Sequence, residues 1–181
     1  MAEQEQEQEQ EQEQDEARTP TERLAALGLE LPPVAAPVAA YVPAVRLGDT
    51  VWTSGQLPFV EGRLVATGKV GDGIRSEIDA GEAAGLARVA ALNALAAVAE
   101  QAGGLDHVAR VVKVVVFVAS VPDFTGQPLV ANGASELFGQ VFGEGSGHAR
   151  SAVGVTVLPL DSPVEVEVVA EVRSRPTVVP L

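Results

Sequence analysis

Arg150 is the side chain in this sequence whose type and setting best suit ligand chemistry. It stands where a β-strand is expected to begin, directly after Gly145, Gly147 and His148. One reading makes it the ion-pair partner of one of the chain's many carboxylates. The other makes it a planar fork for a ligand carboxylate, held by charge-assisted hydrogen bonds of about 1.5–3 kcal/mol each. Residue type alone leaves both open. Other chemistries fall to the inventory. The chain has no cysteine, which removes a thiol nucleophile, a disulfide framework and a Cys-type zinc site. Its two histidines, His107 and His148, match no HExxH or HxxxH spacing, so no metal centre is expected. Ser54 and Ser146 do not sit in GxSxG. Residues 62–69 miss the phosphate-loop spacing by one, with Val70 where a magnesium-binding Ser or Thr belongs, and Gly71-Asp72-Gly73 lacks the third glycine of a dinucleotide turn. No cofactor is expected.

The elements that must position Arg150 come from a chain of 181 residues, 46% hydrophobic, the size of one domain with a substantial core. Its formal charge of −13 is unevenly spread. Residues 1–18 hold eight of the 25 acids and one of the 12 bases, leaving −6 for the rest. Alternating Glu and Gln cannot bury enough surface to offset ordering, so residues 1–20 are expected to be a disordered acidic tail. Pro32, Pro33 and Pro37 mark 21–40 as an Ala/Pro-rich linker, with one or two helical turns possible over 21–29, and 41–175 as the folded domain. A net-negative core without clustered aromatics argues against nucleic-acid binding. The start lacks a secretory pattern, and no uncharged apolar run reaches bilayer length, so no membrane association and a cytoplasmic location are expected.

Three short strands are expected over 41–47, 50–54 and 63–66, joined as an antiparallel meander. Ser76 reads as the cap of a helix running to about Gln101 and stopped by Gly103 and Gly104. Residues 108–118 form the strongest strand signal, apolar at both parities, so both faces of that strand need cover. A second helix is expected over 128–142. Two alternating strands follow over 150–158 and 164–172. In the first, Val153, Val155 and Val157 oppose Arg150, Ala152 and Gly154; in the second, Val164, Val166 and Val168 oppose Glu165 and Glu167. The result is an α+β domain with two helices on one face of the sheet. Arg150, Glu165 and Glu167 are expected to share the other face, which would oligomerise to cover the central strand.

The segment His148-Ala149-Arg150-Ser151-Ala152-Val153 resembles the RidA/YjgF family. So do Val111-Val112-Lys113 through Phe117-Val118, Asp123-Phe124, Leu158-Pro159, Val164-Glu165-Val166-Glu167, Thr53-Ser54-Gly55-Gln56-Leu57-Pro58 and Leu92-Asn93. The match runs over residues 41–173. The resemblance implies a chorismate-mutase-like mixed sheet assembled as a homotrimer, with ligand sites in clefts between subunits. It also implies hydrolysis of reactive enamine/imine intermediates such as 2-aminoacrylate to 2-oxo acids and ammonia. By position, Arg150 would grip the substrate carboxylate and Glu165 would orient or activate water. Gly55 would lend a backbone group, and Tyr41, Ser54 and Asn132 would line the pocket. A non-catalytic module binding small carboxylates or a protein through the same cleft is the alternative. The family often carries a cysteine where Ala152 stands and a proline where His148 stands.

Overall fold

A computed structural model describes residues 18–34, 40–73, 76–143 and 146–173. The expected acidic tail therefore lies, up to residue 17, outside the described residues. The helical turns expected over 21–29 are present as α1 (Pro20–Ala26), a closed helical unit. Thr19 Oγ1 accepts the Glu22 N–H at 3.2 Å, and the Thr19 N–H donates to Glu22 Oε2 at 2.8 Å. Leu24 is buried in the core, which attaches this helix to the domain.

Strands β1 (Ala44–Leu47) and β2 (Thr50–Thr53) form a hairpin. β3 (Phe59–Val60) and β4 (Arg63–Leu64) pair only with each other. The expected three-strand meander is thus corrected, because the free edge of β2 is taken by β7 from the end of the chain. Helix α2 (Ala80–Ala102) is capped by Asp79, whose carboxylate accepts the Glu82 N–H at 2.8 Å, and not by Ser76. Residues 76–78 precede the helix instead, Ile78 bridging to Val70 while the Ser76 hydroxyl donates to Gly73 O. The helix ends at Gly103 in the left-handed conformation, φ 84°. It is long and apolar enough to cross a bilayer by composition alone, yet its alanine-rich face is buried in this core.

β5 (Val108–Ala119), α3 (Gln127–Phe142), β6 (Ala149–Val155) and β7 (Val164–Val172) complete the fold. The five-stranded mixed sheet has the order β1-β2-β7-β5-β6, with β5 and β6 parallel and the other pairs antiparallel. α2 and α3 cover one face, burying Val111, Val114, Val116 and Val118 of β5 and Val164, Val166, Val168 and Ala170 of β7. The opposite face carries Val45, Trp52, Val169 and Lys113 in one register row and Val115, Phe117 and Val153 beside them, alongside Glu165 and Glu167. In the single chain it is open: Trp52 is 51% and Val153 42% exposed. The two-sided apolar strand read from 108–118 is present, with cover on one side only.

Candidate active site

Arg150 lies at the start of β6, an edge strand, where its Cα partner is Val114, which in turn opposes the buried Val168. It therefore points to the helix side of the sheet. The expectation that Arg150 shares a face with Glu165 and Glu167 is corrected. The alternation along β6 holds, but the face is inverted. β6 passes under the start of α3, where a Cβ on Gly154 would come within 2.8 Å of Gln127 Nε2 and 3.0 Å of Ser120 Oγ. Ala152 and Gly154 accordingly turn to the helices, and the bulkier valines turn to the open face.

On the helix side α3 presents Asn132 and Ser135, one turn apart on the same face. Arg150 Nη1 donates to Asn132 Oδ1 at 2.8 Å and to Ser135 Oγ at 3.0 Å. Both bonds use one nitrogen. Among the described residues the Nε–Nη2 edge of the guanidinium has no protein partner, and the side chain is exposed. Two parallel donors on that edge match the two oxygens of a carboxylate. Ser135 also meets His148 Nε2 at 3.0 Å, and His148 Nδ1 lies 3.3 Å from Ser146 O. Phe138 packs against the imidazole edge-on, ring centres 5.9 Å apart. Burial lowers the His148 pKa below its usual range; the Ser146 carbonyl opposes this and the Arg150 charge adds to it. Sequence reasoning missed Ser135, although its i+3 spacing from Asn132 on a helix placed it on the same surface.

The remaining expected residues gather elsewhere. Glu165, on the open face of β7 opposite Phe117, lies against the backbone of Gly55, so closely that a Cβ there would overlap its carboxylate. Gln56 fixes that approach by exchanging two backbone hydrogen bonds with Val166, at 2.8 and 2.9 Å. The Ser54 hydroxyl donates to Val42 O at 2.7 Å, which ties the strand exit to the segment carrying the exposed Tyr41. Burial raises the Glu165 pKa, and the like charge of Glu167 raises it further. Ser54, Gly55 and Glu165 thus form one group, with Tyr41 beside Val42 in the segment tied to Ser54, and Arg150 and Asn132 form another. The two are separated by two strand spacings, about 10 Å, and by about 10 Å along the strands, on opposite faces of the sheet. Among the described residues no three carboxylate or imidazole groups cluster as a metal site would require.

The YjgF/chorismate mutase-like family model, whose description also carries an endoribonuclease label, matches residues 21–172. Protein TCP17 of Trypanosoma cruzi is 45% identical over 149 residues, covering 82% of this chain and 91% of that one. A 2-iminobutanoate/2-iminopropanoate deaminase of Dermatophagoides farinae is 33% identical over 132 residues, covering 72% and 84%. The crystal structure of Escherichia coli TdcF with bound serine superposes with a TM-score of 0.55 at 27% identity, covering 80% of this chain and 94% of that one.

Proposed function

Because this chain belongs to the YjgF/chorismate mutase-like family, we propose that it hydrolyses imines of the 2-aminoacrylate type to 2-oxo acids and ammonia, at clefts between the copies of a homotrimer. The observation that carries the reading is the Arg150 guanidinium, anchored through Nη1 alone with a two-donor edge left for a carboxylate. The 33% identity to a deaminase supports the reaction class, and the serine bound to TdcF supports a small carboxylate as ligand.

The reaction asks little of a protein. 2-Aminoacrylate tautomerises to an imine whose carbon is already electrophilic. Water adds to that carbon and gives up a proton. The resulting carbinolamine protonates on nitrogen, the C–N bond breaks, and ammonia leaves with a 2-oxo acid. The chain's own residues would hold the carboxylate at Arg150, with Asn132 beside it, and would take the water's proton on Glu165, with Gly55 and Ser54 fixing the carboxylate's surroundings and Tyr41 at the rim. Neither metal nor cofactor is required. The endoribonuclease label gains no support from a group in which the neighbouring carboxylates Glu165 and Glu167 repel phosphates.

One chain cannot bring Arg150 and Glu165 onto one ligand, so the reading requires the second group to come from a neighbouring copy. The apolar side chains Val45, Trp52, Val169, Val115 and Phe117, interrupted by Lys113, give the open face the composition of a surface that is covered by association. Light scattering at micromolar concentration is expected to give the mass of three chains. Arg150→Ala and Glu165→Gln chains, each inactive alone, are expected to regain about a quarter of wild-type activity when unfolded and reassembled as a 1:1 mixture, since that fraction of interfaces is intact in both groups. A monomeric mass, or no recovery in mixed trimers, refutes the shared cleft.

The direct test supplies 2-aminoacrylate generated in situ and follows 2-oxo acid release. A rate equal to buffer refutes catalysis. Carboxylate binding that depends on Arg150 in the absence of turnover would establish the second reading, a small-carboxylate-binding module, which the serine bound to TdcF favours. The pH profile adds a signed expectation. Glu165 must be ionised to accept a proton, and its raised pKa places the acid limb of kcat/KM above the ordinary glutamate range. Glu167→Gln removes a like charge and moves that limb to lower pH; an unmoved limb refutes Glu165 as the base.

A further inference from the structure

We infer that Ser135 and His148 are positioning residues that hold the Arg150 guanidinium in a single orientation, so that its Nε–Nη2 edge is presented ready for a ligand carboxylate. This rests on the reading of Arg150 as the carboxylate grip. The relay itself follows from donors and acceptors. Ser146 O, a backbone carbonyl, can only accept, so His148 Nδ1, 3.3 Å away, carries the ring proton. Nε2 of the neutral ring is then an acceptor, and the Ser135 hydroxyl at 3.0 Å donates its one proton to it. With that proton committed, Ser135 Oγ meets Arg150 through its lone pairs, which is what the Nη1 donor at 3.0 Å needs. Asn132 Oδ1 takes the other Nη1 proton at 2.8 Å.

The chain of bonds from Arg150 to Ser135 to His148 to the Ser146 carbonyl therefore runs one way while the imidazole carries its single proton on Nδ1. Burial and the neighbouring Arg150 charge both favour the neutral ring, against the Ser146 carbonyl. Phe138, edge-on at 86° between ring planes, restrains the imidazole from turning out of line. Both Nη1 protons are spent inside the protein, so rotation of the guanidinium breaks two bonds. A serine without His148 would keep a free hydroxyl rotor and could turn its proton toward the arginine, where it would repel the donor it now receives. The Ser135 hydroxyl has no other bonded partner among the described residues.

Two measurements on the full chain test this. Long-range imidazole 15N–1H spectra, in which His107 is the only other histidine, are expected to show His148 as the neutral Nδ1–H tautomer, and Ser135→Ala is expected to shift it. Calorimetry with pyruvate is expected to show binding weakened roughly three- to tenfold in Ser135→Ala and in His148→Leu. His148→Gln, whose amide oxygen can stand near the lost Nε2 and accept from Ser135, restores most of the affinity. An Nε2–H tautomer in the wild type overturns the inference. So does full-affinity binding in Ser135→Ala and His148→Leu when Arg150→Ala no longer binds, a result that leaves the carboxylate grip standing. Undiminished binding by Arg150→Ala overturns both.

Discussion

Gly133→Ala is expected to lower the stability of the domain by about 2 kcal/mol or more, although alanine is intrinsically the better helix residue by about 1 kcal/mol. Gly133 sits in the middle of α3, fully buried against α2. A Cβ there would stand 1.9 Å from the carbonyl oxygen of Ala84 and 2.7 Å from its carbonyl carbon. Both atoms are backbone, so no rotamer change relieves the overlap. The helices must separate, and the separation propagates into Val130, Ala134 and Leu137 of α3 and the alanines that fill α2. Gly85→Ala, on the neighbouring position of α2, is the control: a Cβ there would have nothing within 4 Å, and the residue is exposed. That substitution is expected to gain up to about 1 kcal/mol. Urea midpoints decide between them, or thermal midpoints falling by roughly 6 °C and rising by roughly 3 °C. A Gly133→Ala protein as stable as Gly85→Ala would show that α2 and α3 do not approach this closely.

Arg150→Ala is expected to reduce kcat/KM for 2-aminoacrylate hydrolysis by about 10²- to 10⁴-fold. Two charge-assisted hydrogen bonds to a carboxylate, at about 1.5–3 kcal/mol each, set that range. Arg150→Lys separates charge from geometry. Lysine keeps the cation but offers no planar pair of donors, and it cannot bond Asn132 and Ser135 while also presenting two protons to a ligand. It is expected to recover only part of the loss. Steady-state rates with substrate generated in situ check both variants. Rates within threefold of wild type in Arg150→Ala would remove the carboxylate grip and, with it, the basis for assigning Glu165, Gly55, Ser54, Tyr41 and Asn132 to the same cleft. Thermal midpoints of the two variants separate this effect from loss of the Nη1 anchor, which ties β6 to α3.

Much of this architecture was legible in the residues. The alternation of Val164, Val166 and Val168 with Glu165 and Glu167 marked β7 with its buried and open faces, because only one face of a strand under helices can carry carboxylates. The stop at Gly103 followed from its left-handed φ, and the two-sided apolarity of 108–118 anticipated a sheet whose second face lacks cover within one chain. Local signals were weaker where two candidates of one type competed. Ser76 and Asp79 are both good caps, and only the pairing of Ile78 with Val70 decided that the helix starts at the second. The short helix Pro20–Ala26 was legible as helical turns over 21–29, with its capping box in the sequence, although its burial against the core was not.

The sequence by itself determined the family, the alternation within each strand and the identity of the arginine. Tertiary structure alone decided which way Arg150 points. Strand periodicity separates the two faces of a strand without saying which is the inner one. Along β6 the valines looked like the core face, yet the register puts Ala152 and Gly154 beneath α3, where Gly154 lies against Gln127 and Ser120. That choice turned Arg150 toward Asn132 and Ser135 and away from Glu165, which divides the candidate site into two groups that one chain cannot join.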